Sequence, residues 1–241
     1  DGWEYYSVGG GGILLANLND AAKVQIKNAE ISGNKVTTNA PGGGIECWSN
    51  ISTRLYSRDL TANHLTVTNT VMNSNSAAKG GGICLLNDTK RGLMEANFSN
   101  TVITENTATE LGGGFFVEAD SNDKDSTAVT FNESCAVYDN TAGSGADDFY
   151  KNGNSTVNAL PTAAQMSAAA KNAVISGWYK DEKDNRYDEA AAVEYRPEAS
   201  TIESLQLKAV KAVQYTVKFD SQGGSTVSVQ IIKSGGNAEE S

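Results

Sequence analysis

At 241 residues the chain is long enough for one large domain, yet only 39% of it is hydrophobic and 7% aromatic, too lean to fill a compact globule. Its 19 basic and 29 acidic residues leave a formal net charge of −10, and no run of Lys or Arg offsets it, which argues against nucleic-acid binding. No apolar stretch approaches the ~20 residues of a membrane-spanning helix, so no membrane insertion is expected in this segment.

In chain order, a glycine cluster followed by an apolar residue opens each of a series of units. The copies are Gly10-Gly11-Gly12-Ile13, Gly42-Gly43-Gly44-Ile45, Gly80-Gly81-Gly82-Ile83 and Gly112-Gly113-Gly114-Phe115, with a degenerate fifth at Gly143-Ser144-Gly145-Ala146. Between the last glycines the steps are 32, 38, 32 and 31 residues. A second motif stands upstream of each later cluster. It runs from Asn28 through Ile31 to Asn34, from Asn69 through Met72 to Asn75, from Asn100 through Ile103 to Asn106, and from Ser134 through Val137 to Asn140. Each unit holds three apolar runs too short for helices and broken by Gly and Asn, so three short strands per coil are expected. Two motifs in fixed order at a period near 30 residues describe a right-handed parallel β-helix, an all-β solenoid.

Asn34, Asn75, Asn106 and Asn140 are expected to stack at one corner, tolerating a left-handed backbone and bonding amide to amide between coils. Gly44, Gly82 and Gly114 fit a positive φ or a backbone packed too tightly for a Cβ. Ile13, Ile45, Ile83 and Phe115 are expected to form one inward column. Cys47, Cys84 and Cys135 are odd in number and far apart, and read as small apolar residues in or near the core. Strand alternation sends Cys47 and Cys84 to opposite faces.

After Leu160-Pro161 the texture changes. Residues 162–174 are Ala-rich and suggest a short helix or an irregular cap. Ile175 to Tyr187 reads as a β-hairpin around a charged turn, and Ser204 to Val210 as a further strand. An open solenoid end needs covering, so Trp178, Tyr179, Tyr187 and Tyr195 are expected to be cap aromatics. The expected organisation is β-helix over 1–160, a β-rich cap over 161–212 and an appendage over 213–241. No basic and then apolar segment opens the chain, whose first residues already read as the inside of a repeat. A segment of a longer multidomain chain, monomeric within it, is therefore expected.

The pattern Ile103…Asn106-Thr107-Ala108…Gly112-Gly113-Gly114-Phe115 resembles the repeats of β-helical bacterial surface adhesins, including chlamydial polymorphic outer-membrane proteins and adhesins of gut bacteria. Ile31…Asn34…Gly42-Gly43-Gly44-Ile45 and Val137…Asn140-Thr141-Ala142…Gly145-Ala146 match it too, over roughly residues 7–160. The tail from Tyr215 to Val227, with Gly223-Gly224, resembles the opening of the Listeria–Bacteroides repeat, of which only the first part is present. These resemblances imply an extracellular place on a bacterial surface, of Gram-positive type, and a host glycan or host protein as partner.

No residue pattern requires a cofactor or a metal. Zinc is disfavoured because His64 is the only histidine and no CxxC pair exists. The run Asp120 to Asp125 lacks the central glycine of a calcium loop and has Lys124 at a ligand position. Asp147 and Asp148 are adjacent, so on a strand they point to opposite faces, and one of them reads as a corner or cap residue. The irregular unit is the second. From Gly44 to Val67 there are 23 residues, against 14 from Gly12 to Ile26 and 16 from Gly82 to Phe98. The longer stretch carries Trp48, Arg54, Tyr56, Arg58 and His64. Insertions in repeat folds become loops on one face, and Trp, Tyr and Arg are the types enriched in binding hot spots. These five are the candidate ligand-binding residues of a non-enzymatic adhesin or stalk. A β-helical polysaccharide lyase or glycoside hydrolase and a ligand-free spacer are the other readings.

Overall fold

A computed structural model of the chain describes residues 9–16, 23–37, 39–49, 63–87, 94–119, 127–132, 134–153, 155–195, 204–220, 222–223, 227–233 and 237. They form a parallel β-helix closed by an antiparallel cap. The first sheet stacks Ile13–Ala16, Ile45–Ser49, Ile83–Asn87, Phe115–Ala119 and Phe149–Gly153. The second stacks Lys23–Lys27, Asn63–Thr68, Met94–Ser99, Thr127–Phe131 and Ser155–Ala159. The third holds Glu30–Ser32, Val71–Asn73, Val102–Thr104 and Ala136–Tyr138. A fourth short sheet, Ser76–Lys79, Thr107–Leu111 and Thr141–Ala142, was not among the three strands expected per coil. Its signal is the small residue two places after Asn75, Asn106 and Asn140: Ala77 and Ala108 pair, as do Ala108 and Ala142.

The register delivers the expected columns. Ile13, Ile45, Ile83, Phe115 and Phe149 are successive Cα partners, and all but Ile13 are fully buried. Phe98, Phe115, Phe131 and Phe149 fill the widening interior, with neighbouring ring centroids 5.2–5.4 Å apart along the chain of contacts. Cys47 faces this core, whereas Cys84 faces the opposite side with Phe116 and Tyr150. All three cysteines are buried free thiols. The glycine clusters serve two separate needs. The first of each triplet has a positive φ, as at Gly80 (60°). The third lies under the next coil, where a Cβ on Gly82 would stand 2.6 Å from the Gly114 carbonyl oxygen.

The asparagine ladder forms, with one correction to its backbone. Asn75 Nδ2 donates to Asn106 Oδ1, and Asn106 Nδ2 to Asn140 Oδ1, both at 2.9 Å. Each ladder oxygen also accepts the backbone N–H of the preceding asparagine. The left-handed residues, however, are the ones just before the ladder: Gly33, Ser74, Glu105 and Asp139. The sharp bend is thus made one position early, which leaves each asparagine aimed inward where its amide can bond. Asn28, Asn69 and Asn100, also at positive φ, form a second, exposed ladder through 3.1 Å amide bonds.

The cap begins with helix Ala163–Ala170. Thr162 and Gln165 form its reciprocal capping box. The strand Ile175–Lys180 then pairs antiparallel with Leu205–Lys211, which pairs antiparallel with Phe149–Gly153 of the last coil. The hairpin expected over Ile175–Tyr187 is reduced to one bridge, Glu182 to Asn185. The longer partner strand wins because it buries Leu205, Leu207 and Ala209 on the solenoid end. Trp178 extends the aromatic stack at 6.3 Å from Phe149 and donates its Nε1–H to the Pro161 carbonyl at 2.8 Å. Tyr195 packs against the core, and Tyr179 meets Tyr187 edge to face. In the tail, Gln214–Val217 and Gln230–Lys233 make a separate two-stranded antiparallel ribbon.

Candidate functional site

The chain passes from the first sheet to the second through segments of very unequal length: 17–22, 50–62, 88–93, 120–126 and the single residue 154. Between the second and third sheets two residues suffice in three coils, Asn28 and Ala29, Asn69 and Thr70, Asn100 and Thr101. Length variation is therefore concentrated at one corner. Parallel strands stack at about 4.8 Å, so the roots of these segments rise in steps along that corner.

Trp48 and His64 stand at the two roots of segment 50–62. Strand Ile45–Ser49 ends one residue after Trp48, and Asn63–Thr68 begins one residue before His64. Trp48 is half-buried, in register with Ala16 and Leu86. His64 Nδ1 lies 2.7 Å from Glu95 Oε2, with each side chain about a third exposed. This pair sits on the outward side of the second sheet and is held across one coil step. Arg54, Tyr56 and Arg58 fall outside the described residues, as does the Asp120–Asp125 run. The fold thus brings two of the five candidates to the base of one insertion.

The densest group of charges is elsewhere, in the cap. Asp148, fully buried, accepts the N–H and the Nδ2–H of Asn140 on Oδ1 at 2.9 and 2.8 Å. Its Oδ2 accepts the N–H of Ala209 at 2.8 Å. Asp147 Oδ1 accepts from Ala142 N and from Arg186, and its Oδ2 from Lys208 Nζ at 2.6 Å. Asp181 accepts from Asp147 N, Tyr187 N and Arg186 Nε. Both Asp147 and Asp148 are cap residues, where only one had been assigned that role; they precede the strand, so strand alternation does not govern them. Burial pushes the Asp148 carboxyl up to about 7 against its three N–H donors and Lys208. Burial acts on Asp181 in the same direction, but the bonds from Tyr187, Arg186 and Asp147 outweigh it and hold that carboxyl below its usual value. These acids seal the solenoid end, and Asp148 ends the asparagine ladder with a side chain that only accepts. Nothing in the spacing marked that role, since Asp148 stands just before the first-sheet strand, where Gly114 stands in the coil before, rather than at the ladder's own position.

A fourth buried acid, Glu46, lies on the outward side of the first sheet beside Cys84 in register. It accepts the Gly9 N–H at 2.5 Å, and burial raises its carboxyl to about 7. Among the described residues no cluster of three or more His, Cys, Asp or Glu has the arrangement of a metal site, and no helix is long and apolar enough to cross a membrane. No family model, curated protein or solved structure matches the chain.

Proposed function

We propose that this chain is a non-enzymatic binding segment of a bacterial cell-surface protein, whose β-helix presents loops along one corner to a host glycan or host protein. The observation that carries the reading is the concentration of length variation between the first and second sheets. The longest of those segments, 50–62, carries Arg54, Tyr56 and Arg58 and is rooted at Trp48 and His64. A rigid stack that varies at one corner separates holding the shape from meeting a partner. The acids that the fold does gather are committed to backbone and cationic partners in the cap, which favours binding over hydrolysis.

The test is a glycan and extracellular-protein binding screen on the full chain, repeated with Tyr56→Ala, Arg58→Ala and a variant carrying residues 88–93 in place of 50–62. Loss of an anchor of this kind costs about 2 kcal/mol, over tenfold in affinity. Binding that drops by that factor in the variants, at unchanged melting temperature, supports the reading. Binding to nothing in the screen would leave a structural spacer, and release of reducing or unsaturated sugars from polysaccharides would make the protein an enzyme.

A further inference from the structure

The cap carries an open pocket of about 780 Å3 between helix Ala163–Ala170, strand Ile175–Lys180 and the 3-10 turn Glu189–Ala191. Cavities of roughly 300–1,000 Å3 are the size that holds small ligands. Its floor is aliphatic, from Ala164, Ile175 and Val210, and one wall carries the rings of Tyr179 and Tyr187, 5.5 Å apart at 66°.

The polar groups of the lining are unequal in what they have left to offer. Ser167 and Ser176 give their hydroxyl hydrogens to the Ala163 and Val210 carbonyls. Lys211, the cation of the lining, is paired with Asp139 at 2.6 Å, which offsets its charge. Glu189, an exposed residue, has no cationic partner among the described residues; burial, and after it the Glu189 charge, raises the Tyr187 phenol's pKa. Apart from the two phenols, the cavity therefore presents carboxylate, lone pairs and π faces, with few free donors. An anion meets only Lys211, whose ammonium already holds Asp139, and a sugar finds too few donors for its hydroxyl oxygens. A cation on an apolar stem matches both halves of the lining, through Coulomb attraction to Glu189 and attraction to the tyrosine faces.

We propose that the cap cavity binds an alkylammonium group, its carbon stem on the Ala164–Val210 floor and its charge against Tyr179, Tyr187 and Glu189. The ammonium chemistry is shared by free aliphatic amines and by lysine side chains of a partner protein. This site is independent of the loop corner, so either reading survives failure of the other.

The experiment titrates the full chain with n-pentylamine, Nα-acetyl-lysine methylamide, 1-pentanol and methyl glucoside, followed by NMR of the tyrosine rings and the cap methyl groups. Saturable binding of pentylamine, at least about tenfold tighter than pentanol, is expected, because the charge adds carboxylate and cation–π attraction to the same apolar contact. Ala164→Trp, on an exposed helix position, should plug the cavity and abolish the effect. Tyr187→Ala and Glu189→Gln should each weaken it several-fold while the melting curve stays put. If the lysine derivative binds as well as pentylamine, a protein lysine fits the site, whereas binding of pentylamine alone restricts it to free amines. Equal binding of pentanol, preferential binding of the glucoside, no binding of either amine, or binding that survives Ala164→Trp would overturn the proposal.

Discussion

Replacing Asn106 by alanine should destabilise the solenoid more than any exposed change of the same size. Asn106 Oδ1 accepts the backbone N–H of Asn75 at 3.0 Å and its Nδ2–H at 2.9 Å, and Asn75 is 1% exposed. Alanine leaves the backbone N–H and one Nδ2 hydrogen facing a void, while the other Nδ2 hydrogen keeps the Ile31 carbonyl. Each buried donor without a partner costs about 1–3 kcal/mol, so the pair costs roughly 2–6 kcal/mol. The Met72 and Thr104 carbonyls also lose the Asn106 amide. Asn34→Ala is the control. Asn34 is half-buried and starts the ladder, and Asn75 Oδ1 keeps the Asn34 backbone N–H after truncation. That variant should cost about 1 kcal/mol. Urea unfolding followed by circular dichroism and by tryptophan fluorescence measures both, with equal m-values required for a fair comparison. A cost at Asn106 below about 1 kcal/mol, or equal costs at the two positions, would refute the view that the ladder is a directional chain of buried bonds.

Stability should rise as pH falls from 8 to 5. Asp148 and Glu46 have folded-state pKa values raised to about 7, above their unfolded values, so their contribution is complete at low pH and is lost as pH rises through about 7. Asp181 is lowered and acts the other way, losing its contribution only as pH falls below the ordinary carboxylate range. Melting temperatures across pH 3–8 should peak in the mildly acidic range, and Glu46→Gln should flatten the neutral limb; a flat wild-type profile between 5 and 8 would contradict this. Gly82→Ala should block folding or cost several kcal/mol, since its Cβ would meet the Gly114 carbonyl at 2.6 Å. Gly33→Ala, at φ 67° with open space around it, should cost only about 1–2 kcal/mol by the same denaturation assay. Burial raises the pKa of Cys84 far above its ordinary value, that of Cys47 to about 12 and that of Cys135 upward. Thiol labelling at pH 8 should therefore be slow for all three in the native protein and rapid in urea; fast native labelling of any of them would show that its site is open.

The columns and the asparagine ladder were legible because each rests on residues repeated at coil spacing, where a stacked architecture forces like onto like. The fourth sheet was missed because the residues that Ser76–Lys79 and its counterparts bury are alanines, Ala77, Ala78, Ala108 and Ala142, with little apolar periodicity to notice. The cap was legible only in outline. Trp178 announced itself as a large apolar residue beyond the last repeat, but its strand partner, Ala209, lay 31 residues on, and no local signal separates that pairing from a hairpin. The site was half legible: the excess length between Gly44 and Val67 located the corner, while the cavity beside Tyr179 and Tyr187 arises from elements far apart in the chain.

The asparagine ladder has a bearing on how such a molecule changes length. Every interior member gives to the neighbour on one side and receives from the neighbour on the other, so one coil meets the next as interchangeable bricks meet in a course. Asp148 is the exception: it takes and passes nothing on. A duplicated unit slipped in between the Asn75 and Asn106 levels would find matching contacts above and below, whereas one placed after Asp148 would face an oxygen that answers only donors. Reach can thus grow or shrink by about 4.8 Å at a time without redesigning either end. Ancestral gene duplication within the repeat would translate directly into a longer or shorter rod under the same lid.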